Sequence, residues 1–160
     1  MDDGKLTTLT EHITTHGTTV MEVVYTNDPR TVERIIKKYE EWLKEESNKF
    51  VGLDLEYTRK RSYIRQRITI VQLAMPEHVL VYHYCRSERS QELLDFLQRK
   101  EVTFTSVDTR SDKTMLARAW IKIPYEHHVD IQRLFCIKGG GERDSTGDLA
   151  AAIIDPHTRT

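Results

Sequence analysis

The stretch Phe50-Val51-Gly52-Leu53-Asp54-Leu55-Glu56-Tyr57 decides how this chain is read. Alternation with a period of two marks a β-strand with two unlike faces. Val51, Leu53 and Leu55 form one face, and Asp54 and Glu56 leave the other. In the middle of a sheet covered on both sides, two neighbouring carboxylates are costly to bury. A hard divalent cation offsets that cost, because Mg²⁺ prefers oxygen ligands. Two such ions about 3.5–4 Å apart can hold a phosphodiester and activate water. The plainer alternative is a half-exposed strand with one polar face.

Downstream, Arg67-Ile68-Thr69-Ile70-Val71-Gln72-Leu73 and Val79-Leu80-Val81-Tyr82-His83-Tyr84 read as two further strands. Leu93, Leu94 and Leu97 form the apolar stripe of a helix capped by Ser87 or Ser90. Val102-Thr103-Phe104-Thr105-Ser106-Val107 is a fourth strand, residues 113–120 a helix, and His128-Val129-Asp130-Ile131 the start of a fifth strand. Upstream, β-branched residues flank His16-Gly17, which predicts a hairpin. Asp28 as cap and Pro29 at the first helical position open a helix whose stripe is Val32, Ile35, Ile36, Tyr39 and Leu43. Three strands in a meander followed by α/β crossovers imply a mixed sheet with helices on both sides. The strand over 50–57 is expected at its centre. The helix expected at 149–154 follows the flexible connector Gly139-Gly140-Gly141, which lacks the ending of a phosphate loop.

A chain of 160 residues fits one domain with a sizeable core. With 24 basic and 25 acidic residues the net charge is −1, so any nucleic-acid contact must come from a local patch. That patch is Arg59, Lys60, Arg61, Arg65 and Arg67, directly after Glu56; its alternative is a solvated hairpin loop. Tyr57 and Tyr63 could stack on bases there or pack in the core. No apolar run spans a membrane, and the polar start predicts no leader and no membrane association. Cys85 and Cys136 have no ligand spacing, which predicts an intracellular protein, nuclear or cytoplasmic. His12 and His16 fall in a hairpin without a third ligand, and His127-His128 are expected at the surface or bonded to backbone. Asp112, after Asp108-Thr109-Arg110-Ser111, starts a helix near the end of the fourth strand; it is either an N-cap or a third acid beside the pair.

Residues 50–56 followed by Ile70-Val71-Gln72-Leu73-Ala74 resemble the first motif of DEDD-type 3′–5′ exonucleases. Residues 104–107 through Asp112 and Leu116 resemble the second, and the Werner-syndrome-exonuclease-like branch is the nearest flavour. The resemblance implies an α/β, ribonuclease-H-like mixed five-stranded sheet flanked by helices, with an N-terminal β-hairpin, in one domain over residues 1–160. It implies Asp54, Glu56 and Asp112 as catalytic metal ligands for Mg²⁺ or Mn²⁺, and single-stranded RNA or DNA as partner. In the family a fourth acid, four residues after a Tyr or His, completes a two-ion site. Tyr125 and Asp130 are five apart, His127 and Asp130 three apart, and no Tyr or His precedes Asp144, Asp148 or Asp155 by four. The third motif is absent, so the chain reads as a C-terminally shortened member with weak or lost hydrolysis. The alternative is a non-catalytic module that binds nucleic acid or protein. A shortened sheet would also leave apolar surface that favours self-association or a protein partner.

Overall fold

The computed structural model describes residues 4–15, 17–84 and 88–134. The expectations for His16, Cys85, Ser87, Cys136, Gly139, Gly140, Gly141, Asp144, Asp148, Asp155 and the helix at 149–154 lie outside those residues. Seven strands form one mixed sheet: β1 (Thr8–Thr15), β2 (Thr19–Thr26), β3 (Phe50–Tyr57), β4 (Ile68–Met75), β5 (His78–Tyr82), β6 (Thr103–Ser106) and β7 (His128–Asp130). Their spatial order is β1-β2-β5-β4-β3-β6-β7. Helices α1 (Pro29–Lys44), α2 (Gln91–Leu97), α3 (Thr109–Arg118) and α4 (Ile131–Leu134) connect or follow them.

The expected five strands are all present, and the hairpin adds two more to the same sheet. β2 lies parallel to β5, with Val24 opposite Leu80 and Thr26 opposite Tyr82. β3, β4 and β5 form the antiparallel meander, and β3, β6 and β7 run parallel. The hairpin displaces the centre of the sheet, so β4 holds the middle position and β3 lies one strand away.

Local chemistry starts the helices. Asp28 Oδ1 accepts from Arg30 N at 3.0 Å, with Pro29 following, and Ser90 Oγ accepts from Leu93 N at 3.3 Å. Gly17 takes φ +75 after β1, the left-handed backbone that suits glycine in a hairpin turn. Below the sheet, Val32, Ile35, Ile36 and Tyr39 of α1 meet Val51, Leu53, Leu73 and Leu80 in one apolar core. Tyr39 Oη bonds His78 Nδ1 at 2.7 Å and donates to Leu73 O at 3.2 Å, so its buried hydroxyl is satisfied.

Helix α3 ends in a tight reversal. Ile121 N donates to Leu116 O at 3.0 Å and Trp120 N to Ala117 O at 3.2 Å, with Ile121 and Leu116 both buried. This is the Schellman pattern, whose left-handed position favours glycine. Here that position is Trp120, at φ +59. A left-handed conformation costs a bulky residue about 1–2 kcal/mol. Trp120→Gly is therefore expected to raise unfolding stability by about 1 kcal/mol in urea titration; a loss of stability would show that the indole packs more than its exposure suggests.

Candidate functional site

β3 delivers its acids as the alternation requires. Val51, Leu53 and Leu55 are buried, and Asp54 and Glu56 stand on the opposite, exposed face. Of the two readings, the half-exposed strand with a polar face holds: both carboxylates are exposed rather than buried inside the sheet, and water lowers the cost of the two charges. Asp54 Oδ2 accepts from Gln72 Nε2 at 3.3 Å, its register partner on β4. Partial burial and the neighbouring Glu56 charge still raise the Asp54 pKa.

The buried acid is Asp112. It lies in the first turn of α3, and burial followed by the charges of Asp54, Asp130 and Glu56 raises its pKa to about 7. Tyr57 Oη donates to Asp112 Oδ1. Tyr57 can reach across because β3 carries an irregularity between Glu56 and Tyr57, where the register with β4 shifts. Sequence alone left Tyr57 between base stacking and packing; its hydroxyl is committed to the third acid.

Asp112 is not the helix cap. The helix begins at Thr109, earlier than the expected 113, after Asp108 in the left-handed region at φ +54. The Asp108 side chain makes no cap bond. Asp130 supplies the cap from β7: its Oδ2 accepts from Thr109 N at 3.1 Å and Thr109 Oγ1 at 3.4 Å, while Oδ1 accepts from Gln132 N at 3.0 Å. Asp130 thus enters the electrostatics of the site with both oxygens already engaged. Spacing along the chain hid this, since the partners are brought together by parallel pairing of β6 with β7.

His128, expected at the surface or bonded to backbone, is instead buried with its ring bonded to a side chain. Ser106 Oγ donates to Leu53 O at 2.7 Å and lies 2.9 Å from His128 Nε2. The serine hydrogen is used, so neutral His128 donates from Nε2 and its buried Nδ1 is left without a partner. Burial, then the Lys113 charge, lowers its pKa to about 4. This Leu53–Ser106–His128 link ties β3, β6 and β7 together beneath the acids.

Arg59, Lys60, Arg61, Arg65 and Arg67 are all exposed on the connection between β3 and β4. Thr58 N donates to Arg67 O at 2.9 Å, so the loop closes just beyond Glu56. Among the described residues none of the five is in an ion pair. Tyr63, 79% exposed, sits among them.

The three carboxylates have the hard-oxygen chemistry a Mg²⁺ or Mn²⁺ ion takes. They share one electrostatic environment, but among the described residues no three His, Cys, Asp or Glu side chains converge closely enough to hold a metal ion. His12 does not join them; its Nε2 lies 3.5 Å from Glu22 Oε2 in the hairpin. No helix among the described residues is long and apolar enough to cross a membrane.

No protein-family model and no curated protein matches this chain. Solved structures do. Escherichia coli RNase D, an exoribonuclease involved in structured RNA processing, is 15% identical with a TM-score of 0.66, over 80% of this chain and 32% of that one. Trypanosoma brucei RNase D in complex with RNA U12 is 14% identical with a TM-score of 0.63, over 82% and 46%. The EXD2 exonuclease domain soaked in Mn and GMP is 16% identical with a TM-score of 0.54, over 82% and 69%. The chain spans about a third of the bacterial structure and under half of the trypanosomal one. The likeness shows the fold: the ribonuclease-H-like mixed sheet of these exonuclease structures.

Proposed function

We propose that this chain is a DEDD-type 3′–5′ exonuclease-like domain that binds single-stranded nucleic acid, with hydrolysis weak or lost. The observation that carries this reading is geometric: Asp54 and Glu56 share the exposed face of β3, Tyr57 of the same strand bonds Asp112, and the exposed basic loop follows directly. Phosphates passing that loop would meet Arg59, Lys60, Arg61, Arg65 and Arg67, and the strand end would reach the acids. Asp54, Glu56 and Asp112 are the residues proposed to bind Mg²⁺ or Mn²⁺; as placed they do not converge closely enough to hold the ion, so binding would require them to draw together, and the ion would then supply charge on the phosphodiester and an activated water. Tyr57 holds Asp112 in place through its hydroxyl, and Gln72 orients Asp54.

One observation favours weak hydrolysis. Asp130, whose charge reaches Asp112, spends both oxygens on backbone and hydroxyl donors of α3 and α4, so neither is free to complete a two-ion site.

The test uses single-stranded RNA and DNA labelled at the 5′ end, with Mg²⁺ or Mn²⁺, on wild type and Asp54→Ala. Binding is expected to weaken steeply with salt, and the log–log salt slope to fall by about 1 for each arginine of the loop replaced. Trimming from the 3′ end is expected at trace level or not at all. Vigorous metal-dependent trimming that Asp54→Ala abolishes would overturn the weak-catalysis part, and absence of binding at low salt would overturn the whole reading.

A further inference from the structure

Beyond the C-terminus of α3 lies a groove of about 710 Å³. Lys100, Lys113, Trp120, Lys122, Pro124 and Tyr125 are among its lining residues, and among the described residues no Asp or Glu lines it. Trp120 is 81% exposed and Tyr125 is 76% exposed. Lys113 Nζ lies 3.7 Å over the Tyr125 ring, which orders the ring against one cation and leaves its exposed remainder free to receive a planar partner. Among the described residues, Lys100, Lys113 and Lys122 form no ion pair.

Two features set this groove apart from an ordinary solvated surface. The chain carries a net charge of −1, yet three cations gather here without a carboxylate among the described lining residues. Trp120 also occupies the left-handed position where glycine would be unstrained. Backbone outliers of this kind persist where the surrounding structure enforces them, and they cluster at binding sites. The Schellman bonds enforce the backbone here, and the result is an indole held out into solvent rather than folded onto the core.

We propose that the groove is a second single-stranded nucleic-acid site, in which bases stack on Trp120 and Tyr125 and phosphates meet Lys100, Lys113 and Lys122. Exposed aromatics with interleaved cations are the combination that binds single strands without reading sequence, because every base offers a π-face and every nucleotide a phosphate. Asp112 and Trp120 are eight residues apart along the α3 direction, about 12 Å at helical rise. A strand with about 3.4 Å between nucleotides covers that distance in about four nucleotides. The groove and the acids thus lie towards opposite ends of α3, a separation that a few nucleotides span. The proposal rests on the reading of the site as an exonuclease-like, single-strand-binding one.

The test measures anisotropy of fluorescein-labelled oligothymidylate of about 12 nucleotides, long enough to fill a typical single-strand site. Wild type is compared with Trp120→Gly, Tyr125→Ala and a loop variant, Arg61→Glu with Arg65→Glu. Trp120→Gly suits the backbone, so its thermal midpoint should match or exceed that of wild type, which separates lost stacking from lost folding. The expected result is a Kd weakened about 5- to 150-fold by Trp120→Gly and by Tyr125→Ala, with Trp120→Phe recovering most of the affinity. An unchanged Kd in Trp120→Gly, with binding lost in the loop variant, would overturn this proposal and leave the acid-site reading standing. If wild type fails to bind the oligonucleotide at low salt, both fall. If polyglutamate competes as well as unlabelled oligothymidylate, the groove is a general anion surface and the stacking proposal is overturned.

Discussion

Asp112→Asn is expected to be more stable than wild type at pH 8, by about 2 kcal/mol once the shift is discounted for solvent screening. The folded protein holds the Asp112 proton up to about pH 7, whereas an unfolded aspartate releases it near 3.8. Between those values the native state binds more protons than the unfolded state, so the contribution of this group is fully present below about pH 4. It is lost as pH rises through about 7. Asparagine keeps the shape and still accepts from Tyr57 Oη, but it carries no charge to desolvate and none to oppose Asp54, Asp130 and Glu56. The difference between variant and wild type should vanish near pH 4 and reach its full size by pH 8. His128 works in the opposite sense. Its folded pKa of about 4 lies below its ordinary 6.5, so its contribution is present above 6.5 and lost as pH falls towards 4. Both proteins carry His128, so it cancels in the difference. Urea titrations across this pH range check the result; a variant less stable than wild type at pH 8, or an offset independent of pH, would refute the account of Asp112.

Phe104→Ala is expected to cost about 3–5 kcal/mol, the usual cost of emptying a buried aromatic site. Phe104 is fully buried on β6, opposite Val51 of β3 and His128 of β7. Its ring meets Phe96 of α2 edge-on, with centroids 5.5 Å apart and planes at 87°. The cavity would open below the strands that carry Asp54 and Ser106, so loss of packing and disturbance of the site should appear together. A domain has about 5–15 kcal/mol in all, so the variant is expected near the edge of folding at physiological temperature. Pairing it with Phe96→Ala should give a smaller combined loss than the sum of the two, by about 0.5–1.5 kcal/mol, because the aromatic contact is counted in both. A loss under about 1 kcal/mol for Phe104→Ala alone would mean that the core closes over the gap.

The two effects differ in kind, and both bear on the site. The core residues set where the acids stand; the acids then oppose the fold that holds them. Structural elements that keep destabilising charges together are where function is commonly found. Here the opposition falls on Asp112, the one acid of the three that is buried.

Much of this protein is written locally. The alternation of residues 50–57, the Asp28-Pro29 start of α1, the Ser90 cap and the glycine of the hairpin each act within a few residues, so the sequence alone determined those elements and put Asp54 and Glu56 on one face. The meander of β3, β4 and β5 was equally legible, because short connections favour antiparallel neighbours. Tertiary structure decided the rest. The hairpin joins the main sheet because β2 finds β5 more than fifty residues away, a pairing no local pattern encodes. Asp112 is buried, Tyr57 bonds it and Asp130 caps its helix because parallel packing of β3, β6 and β7 closes distances that the chain leaves open. Burial and charge at a site depend on what lies across space, and period, cap and turn residues report only what lies along the chain.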